Sequence, residues 1–165
     1  MGTWFENSFL NACGKIYEWI VRIFSNLQSI FVFIMRIIWG YQFLIAGWGK
    51  LLHPERTAAF FHSLGLPFST ANTYIVGGFE FIGGILLIIG LASRLFAIPL
   101  SIIMLTALST AHKDAFEGFK FIYMPSILVQ EEPFPYLITC LTVLVYGPGR
   151  IAFDALIKKR LLSRF

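Results

Sequence analysis

Residues 71–92 read ANTYIVGGFEFIGGILLIIGLA, an apolar run broken by one charge, Glu80. Coiled as a helix, this run extends about 33 Å, enough for the roughly 30 Å hydrocarbon core of a bilayer. Only a membrane span accommodates so long a stretch with a single ionisable group. Outward from it lie three more apolar runs. One covers about 95–111, with Pro99 near its start. One covers about 29–52, interrupted by Arg36 and ended by Lys50 and His53-Pro54, since the residue before a proline is turned away from helix. The last covers about 134–146 and is stopped by Gly147-Pro148-Gly149. That last helix spans only about 20 Å, so apolar residues over 119–129 are expected to fill in as a re-entrant or interfacial piece.

The flanks are amphipathic. Phe5, Phe9, Ile16, Ile20 and Ile23 recur at helical spacing, and Asn7, Asn11, Lys15, Glu18 and Arg22 fall largely between them. Residues 1–28 therefore read as an amphipathic helix, either lying along the membrane surface or packing on the end of the bundle. Residues 148–165 read as a short basic amphipathic tail. The start lacks the basic n-region and compact apolar stretch of a secretory signal. The expected fold is thus an all-α membrane protein: four transmembrane helices in a bundle over 29–147, with amphipathic surface helices at both termini.

Composition agrees. Of 165 residues, 57% are hydrophobic and only 13% charged, against about a quarter charged in soluble domains. A chain this small cannot bury so many apolar side chains and keep a wettable surface. A soluble enzyme, a disordered chain and a disulfide scaffold are excluded as readings. Cys13 and Cys140 have no framework or metal-ligand spacing. The net charge of +4 is spread along the spans' flanks, so no nucleic-acid partner is expected. Eight basic residues (Lys15, Arg22, Arg94, Arg150, Lys158, Lys159, Arg160, Arg164) lie on one side and four (Lys50, Arg56, Lys113, Lys120) on the other. The richer side is expected to be cytoplasmic, which places both termini inside and the loops 53–70 and 112–133 outside.

Two charges inside spans, Arg36 and Glu80, are the strongest chemical signal. Each costs about 2.5–3.5 kcal/mol on insertion scales, so each should face the bundle and find a partner. Counted from the span ends, their depths differ by roughly 7 Å, within reach of two long side chains. Their pairing would make either a proton or quinone site, or a structural ion pair between the first two spans. Arg36, Gly40, Phe43, Gly47 and Lys50 share one helix face, as do Gly77, Glu80 and Gly84; small residues there let the helices approach closely. His53, His62, His112, Lys50, Lys113 and Asp114 gather at the outward end. The histidine spacings match no metal-ligand pattern, and no metal site is expected. Any ligand is expected in a cavity open to the outer face or the outer leaflet, bounded by the first three spans, with Glu80 at its floor. Thr139, Thr142 and Tyr146 form a polar stripe on the fourth span, and Thr106 and Ser109 a weaker one on the third; such groups more often bond their own backbone or across helices than bind ligand. No P-loop, GxGxxG, CxxC or nucleophile elbow occurs.

Arg36 followed by Gly47-Trp48-Gly49-Lys50-Leu51, then Phe60-Phe61-His62-Ser63-Leu64-Gly65-Leu66-Pro67, then Gly78-Phe79-Glu80-Phe81-Ile82-Gly83-Gly84, Ile89-Gly90-Leu91-Ala92-Ser93-Arg94, Ala111-His112 and Tyr146-Gly147-Pro148-Gly149-Arg150 with Asp154 beyond form an ordered set. In that order they resemble the DoxX/DoxD-like family of small four-helix bacterial membrane proteins, over about residues 30–156. Ala152 stands where the family's closing motif has serine. The resemblance implies the bacterial cytoplasmic membrane and a membrane subunit linked to redox chemistry. DoxD-like relatives are associated with thiosulfate:quinone oxidoreduction and DoxX-like ones with oxidative-stress complexes. Arg36, Lys50, Glu80, Arg94 and His112 carry over as family-type polar residues. Three functions follow as alternatives: a quinone-interacting subunit of an oxidoreductase complex, with a soluble or membrane partner; a non-catalytic scaffold or accessory protein; and a small carrier with Glu80 at its midplane. Quinone is the one candidate cofactor, and oligomerisation stays open.

Overall fold

The structure, a computed structural model, describes residues 2–113 and 120–162, with side chains over 14–25, 27–113 and 122–160. Helix α1 runs unbroken from Gly2 to Leu52. The boundary expected at residue 28 is a change of composition and not of backbone: the polar stretch Ser25–Ser29 contains no proline or glycine, and nothing there interrupts the i to i−4 bonds. From Gly14 to Ser25 the side chains are exposed all round. This part of α1 therefore does not pack on the bundle end, one of the two arrangements expected for it. The side chains of Phe5, Phe9 and Cys13 lie outside the described ones.

The loop expected over 53–70 contains a helix, α2, Pro54–Ser63, with proline at the first turn, where its missing N–H is not needed. Helix α3 covers Ser69–Ile89 and stops short of the expected residue 92. Gly90 takes a left-handed φ of 77°, and Leu91 N–H returns to Leu86 O at 3.1 Å, a Schellman-type end. Helix α4 covers Ser93–Thr110. Two short helices, α5 (Lys120–Tyr123) and α6 (Pro125–Gln130), precede α7, Pro133–Tyr146. They occupy the stretch expected to compensate for a short fourth span. Helix α8 is Phe153–Leu162.

Among the described residues, three helices are long and apolar enough to cross a membrane: α1 over Gly14–Leu52, α3 and α4; α7 is apolar but shorter. The bundle is a ring. α1 packs on α3 and α7, α4 packs on the same two, and α2 lies against α3. Phe43, Leu87, Leu100, Leu108, Cys140 and Val143 fill the centre with no exposed surface. Ile38, Tyr41, Ile75, Ile82, Ile102, Leu105 and Leu141 point outward and are exposed, as a lipid-facing surface requires.

The α1–α3 contact is made through glycine. A Cβ on Gly47 would lie 2.7 Å from Gly77 O and 2.9 Å from Glu80 C, and one on Gly84 would lie 2.6 Å from Gly40 O and from Leu44 N. The faces expected to meet do meet, backbone to backbone.

Candidate functional site

That glycine register decides which charges pair. Gly84 sits opposite Gly40, and Gly77 with Phe81 sits opposite Gly47. Glu80 therefore lies level with Gly47, about 16 Å along α1 from Arg36. The cation within reach is Lys50, one turn further on. Lys50 Nζ is 2.5 Å from Glu80 Oε2, with the Glu80 side chain 3% and the Lys50 side chain 25% exposed. The expected Arg36–Glu80 pair is corrected accordingly. Counting depth from the span ends assumed that both spans begin in one plane, but α1 has no end near residue 29.

Arg36 does other work. Fully buried, it donates through Nη1 to Pro148 O and through Nη2 to Ile151 O at 3.0 Å. It thereby clamps the linker between α7 and α8. Asp154 completes the clamp: Oδ1 accepts from Ala92 N–H at 2.8 Å and Oδ2 from Ser93 N–H at 3.3 Å, and Asp154 N–H donates to Gly90 O at 3.0 Å. The closing motif is thus tied to the α3–α4 turn and to α1. A Cβ on Gly90 would meet Arg36 Nη1 and Ala152 Cβ at 2.7 Å.

Lys50 and Glu80 line a cavity of about 500 Å³ at the opposite end of the bundle. His112, Glu132 and Tyr136 line it too, and Phe60, Phe61 and Met104 give it apolar walls. All four bundle helices and α2 contribute, a wider enclosure than the three spans expected. His112 Nδ1 contacts Glu131 Oε2, which joins the end of α4 to the start of α7 beside the cavity. Tyr136 is fixed by Trp39 and Phe43, with ring centroids 4.8 Å from each.

Of the sequence candidates, Lys50, Glu80 and His112 are brought together. His53 and His62 are exposed and do not line the cavity. Arg36 and Arg94 lie at the other end, where Arg94 Nη2 donates to Val145 O at 3.4 Å. Asp114 lies outside the described residues. Thr139, Thr142 and Thr106 each donate to the carbonyl four residues back, at 2.9, 2.7 and 2.9 Å, so the polar stripes serve their own helices. Tyr136 and Glu132 were missed, because an aromatic residue and a loop-end carboxylate among prolines give no periodic signal. Among the described residues, no three His, Cys, Asp or Glu side chains gather as a metal site.

Chemically, the site is a mostly apolar hollow of ligand size with a few convergent polar groups. One wall carries the Lys50–Glu80 ion pair, and another carries His112.

Comparison with known proteins agrees with this architecture. The DoxX family model matches residues 31–113. The chain is similar to "Putative oxidoreductase CatD" of Bacillus subtilis, 34% identical over 82 residues, which are 50% of this chain and 60% of the relative. The match thus spans about three fifths of that relative's length. It is also similar to "Uncharacterized membrane protein Rv3486" of Mycobacterium tuberculosis, 28% identical over 78% of this chain and 82% of the relative. A third relative is "Inner membrane protein YqjF" of Escherichia coli, 25% identical over 82% of this chain and 98% of the relative. No solved structure matches the chain.

Proposed function

The chain belongs to the DoxX family of membrane proteins, and from that premise we propose that it is a quinone-interacting subunit of an oxidoreductase complex in the bacterial inner membrane. The observation that carries this reading is the buried Lys50–Glu80 pair in the wall of a cavity of about 500 Å³ that His112 also lines. The volume lies within the usual range for small-molecule sites, about 300–1,000 Å³. The walls suit an aromatic head group: Phe60, Phe61 and Tyr136 supply apolar and ring surface. A bound quinone would supply two-electron, two-proton exchange. The chain's own residues would handle the protons and the orientation. Lys50 Nζ can donate to a carbonyl oxygen, Glu80 can hold a proton at the cavity wall, and His112 can pass one to the surface. The electrons are assigned to a partner subunit, in keeping with the oxidoreductase named among the relatives.

Gently purified protein should release quinone on organic extraction, and Glu80→Gln and His112→Ala should each weaken binding of a quinone analogue about tenfold or more. Both variants folding normally and binding as the wild type does would sink the assignment. The second reading is a non-catalytic scaffold. It is favoured by the length of α1 beyond the bundle, where Tyr17, Trp19 and Phe24 stay exposed. A stoichiometric protein partner, co-purified without quinone, would support it.

A further inference from the structure

The end of the bundle away from the Lys50–Glu80 cavity holds a second hollow, of about 700 Å³ and open to the surface. Its walls come from four stretches far apart in sequence: residues 25–32 of α1, the α3–α4 turn, the linker after α7, and α8. Three cations line it, Arg94, Arg150 and Lys158, against one carboxylate, Asp154. That carboxylate is already engaged, with one oxygen on Ala92 N–H and the other on Ser93 N–H. The hollow is therefore lined by more cationic than anionic side chains.

Arg94 is held in place as well as charged. Its guanidinium donates to Val145 O and lies close against Gly147. A Cβ at Gly147 would come within 3.0 Å of Nη2 and 3.3 Å of Nε, and Gly147 has a φ of 80°. Backbone conformation and the guanidinium's path both demand glycine there, so this wall is built around the arginine. On the facing side, Ser25, Gln28 and Ser29 share one face of α1 and offer neutral donors. Leu95 adds apolar surface and is 65% exposed on the outside of the bundle.

We propose that this hollow binds a phosphate anion carried on a lipid, the phosphodiester head group of an anionic phospholipid. A guanidinium and an ammonium converging from different elements match a phosphate's several acceptor oxygens. Basic pockets at the ends of membrane helices are where such head groups are held. The exposed apolar side chain of Leu95 at the rim lets the acyl chains run down the bundle's outer face. The site is separate from the proposed quinone cavity, and its fate does not depend on that reading.

The test is a thermal-shift titration of the full-length protein in detergent, with phosphatidylglycerol, phosphatidylcholine or inorganic phosphate. Phosphatidylglycerol should raise the melting temperature saturably, and phosphatidylcholine should not. Lys158→Gln and Arg94→Gln should each weaken the apparent affinity about fivefold, and Lys158→Arg should restore it. Stabilisation by inorganic phosphate alone, lost in the same variants, would keep the anion site and assign it to free phosphate. Equal stabilisation by the two lipids would overturn the proposal. So would a normally folded Lys158→Gln protein that titrates as the wild type does. Lys158 is exposed and makes no hydrogen bond or ion pair among the described residues, so this variant decides the matter if Arg94→Gln does not fold.

Discussion

Lys50 and Glu80 are unequal partners, and the inequality can be measured. Removing one member of a buried pair in soluble proteins costs about 3–5 kcal/mol, because the other charge is left desolvated. Glu80 is nearly enclosed, whereas a quarter of the Lys50 side chain is exposed. Lys50→Gln strands a buried carboxylate; Glu80→Gln strands an ammonium on a flexible stem that can turn into the cavity. The first variant should therefore be the less stable in detergent, and the double variant should lose less than the two singles together. Equal losses that add strictly would show that the pair does not form. Arg36 gives the complementary prediction. It bonds two carbonyls of the closing linker, and a bond to a charged group contributes about 1.5–3 kcal/mol. Arg36→Met should destabilise by about that much or more. Its effect should add to that of Glu80→Gln within about 0.5 kcal/mol, as for separated sites; strong coupling in thermal melts would contradict the register described here.

At the scale of helices, α1 and α3 touch through backbone at Gly47 and Gly84, while Gly49 has open space where its Cβ would be. Two substitutions of the same chemistry, two residues apart, should thus behave oppositely. Gly47→Ala must push α1 from α3, because the atoms in its way are the Gly77 carbonyl and the backbone of Glu80. Overpacking of this kind costs about 1–3 kcal/mol, and it would also move Lys50 relative to Glu80. Gly49→Ala meets nothing, and helix propensity alone favours it by up to about 1 kcal/mol. Thermal melts of the two proteins in one detergent make the comparison. A Gly47→Ala variant as stable as the wild type would mean that the helices are not in contact there.

For the whole molecule, orientation is the open quantity that charge should set. The basic residues favour the end with the termini, so both termini are expected in the cytoplasm. In a background with Cys13 and Cys140 replaced, an impermeant thiol reagent applied to intact cells should modify Ser63→Cys. Lys159→Cys should react only after the membrane is opened. Labelling of position 159 from outside would invert the topology, and with it the side from which the Lys50–Glu80 cavity is reached.

The sequence by itself determined the class of fold and the faces that pack. Apolar run length and the near absence of charge are one-dimensional properties, and the bilayer converts them directly into spans. Helical periodicity likewise placed Gly40, Gly47, Gly77 and Gly84 on the α1–α3 contact before any coordinates. The span order put Lys50 and His112 at the outward end, and its charge inside a span marked Glu80 near mid-depth below them. Only the tertiary structure decided who meets whom. The partner of Glu80 depends on the axial offset between two helices, and that offset is set by which glycine faces which. Composition does not encode it, although Lys50 and Arg36 stand about four turns apart on α1. The continuous α1 was hidden because a polar stretch without proline or glycine looks like a boundary on a hydropathy scale, yet leaves the helical hydrogen bonds intact. The clamp of Arg36 and Asp154 on the closing motif was hidden for a related reason. Its partners are main-chain carbonyls and amides, which every residue carries and no sequence pattern marks.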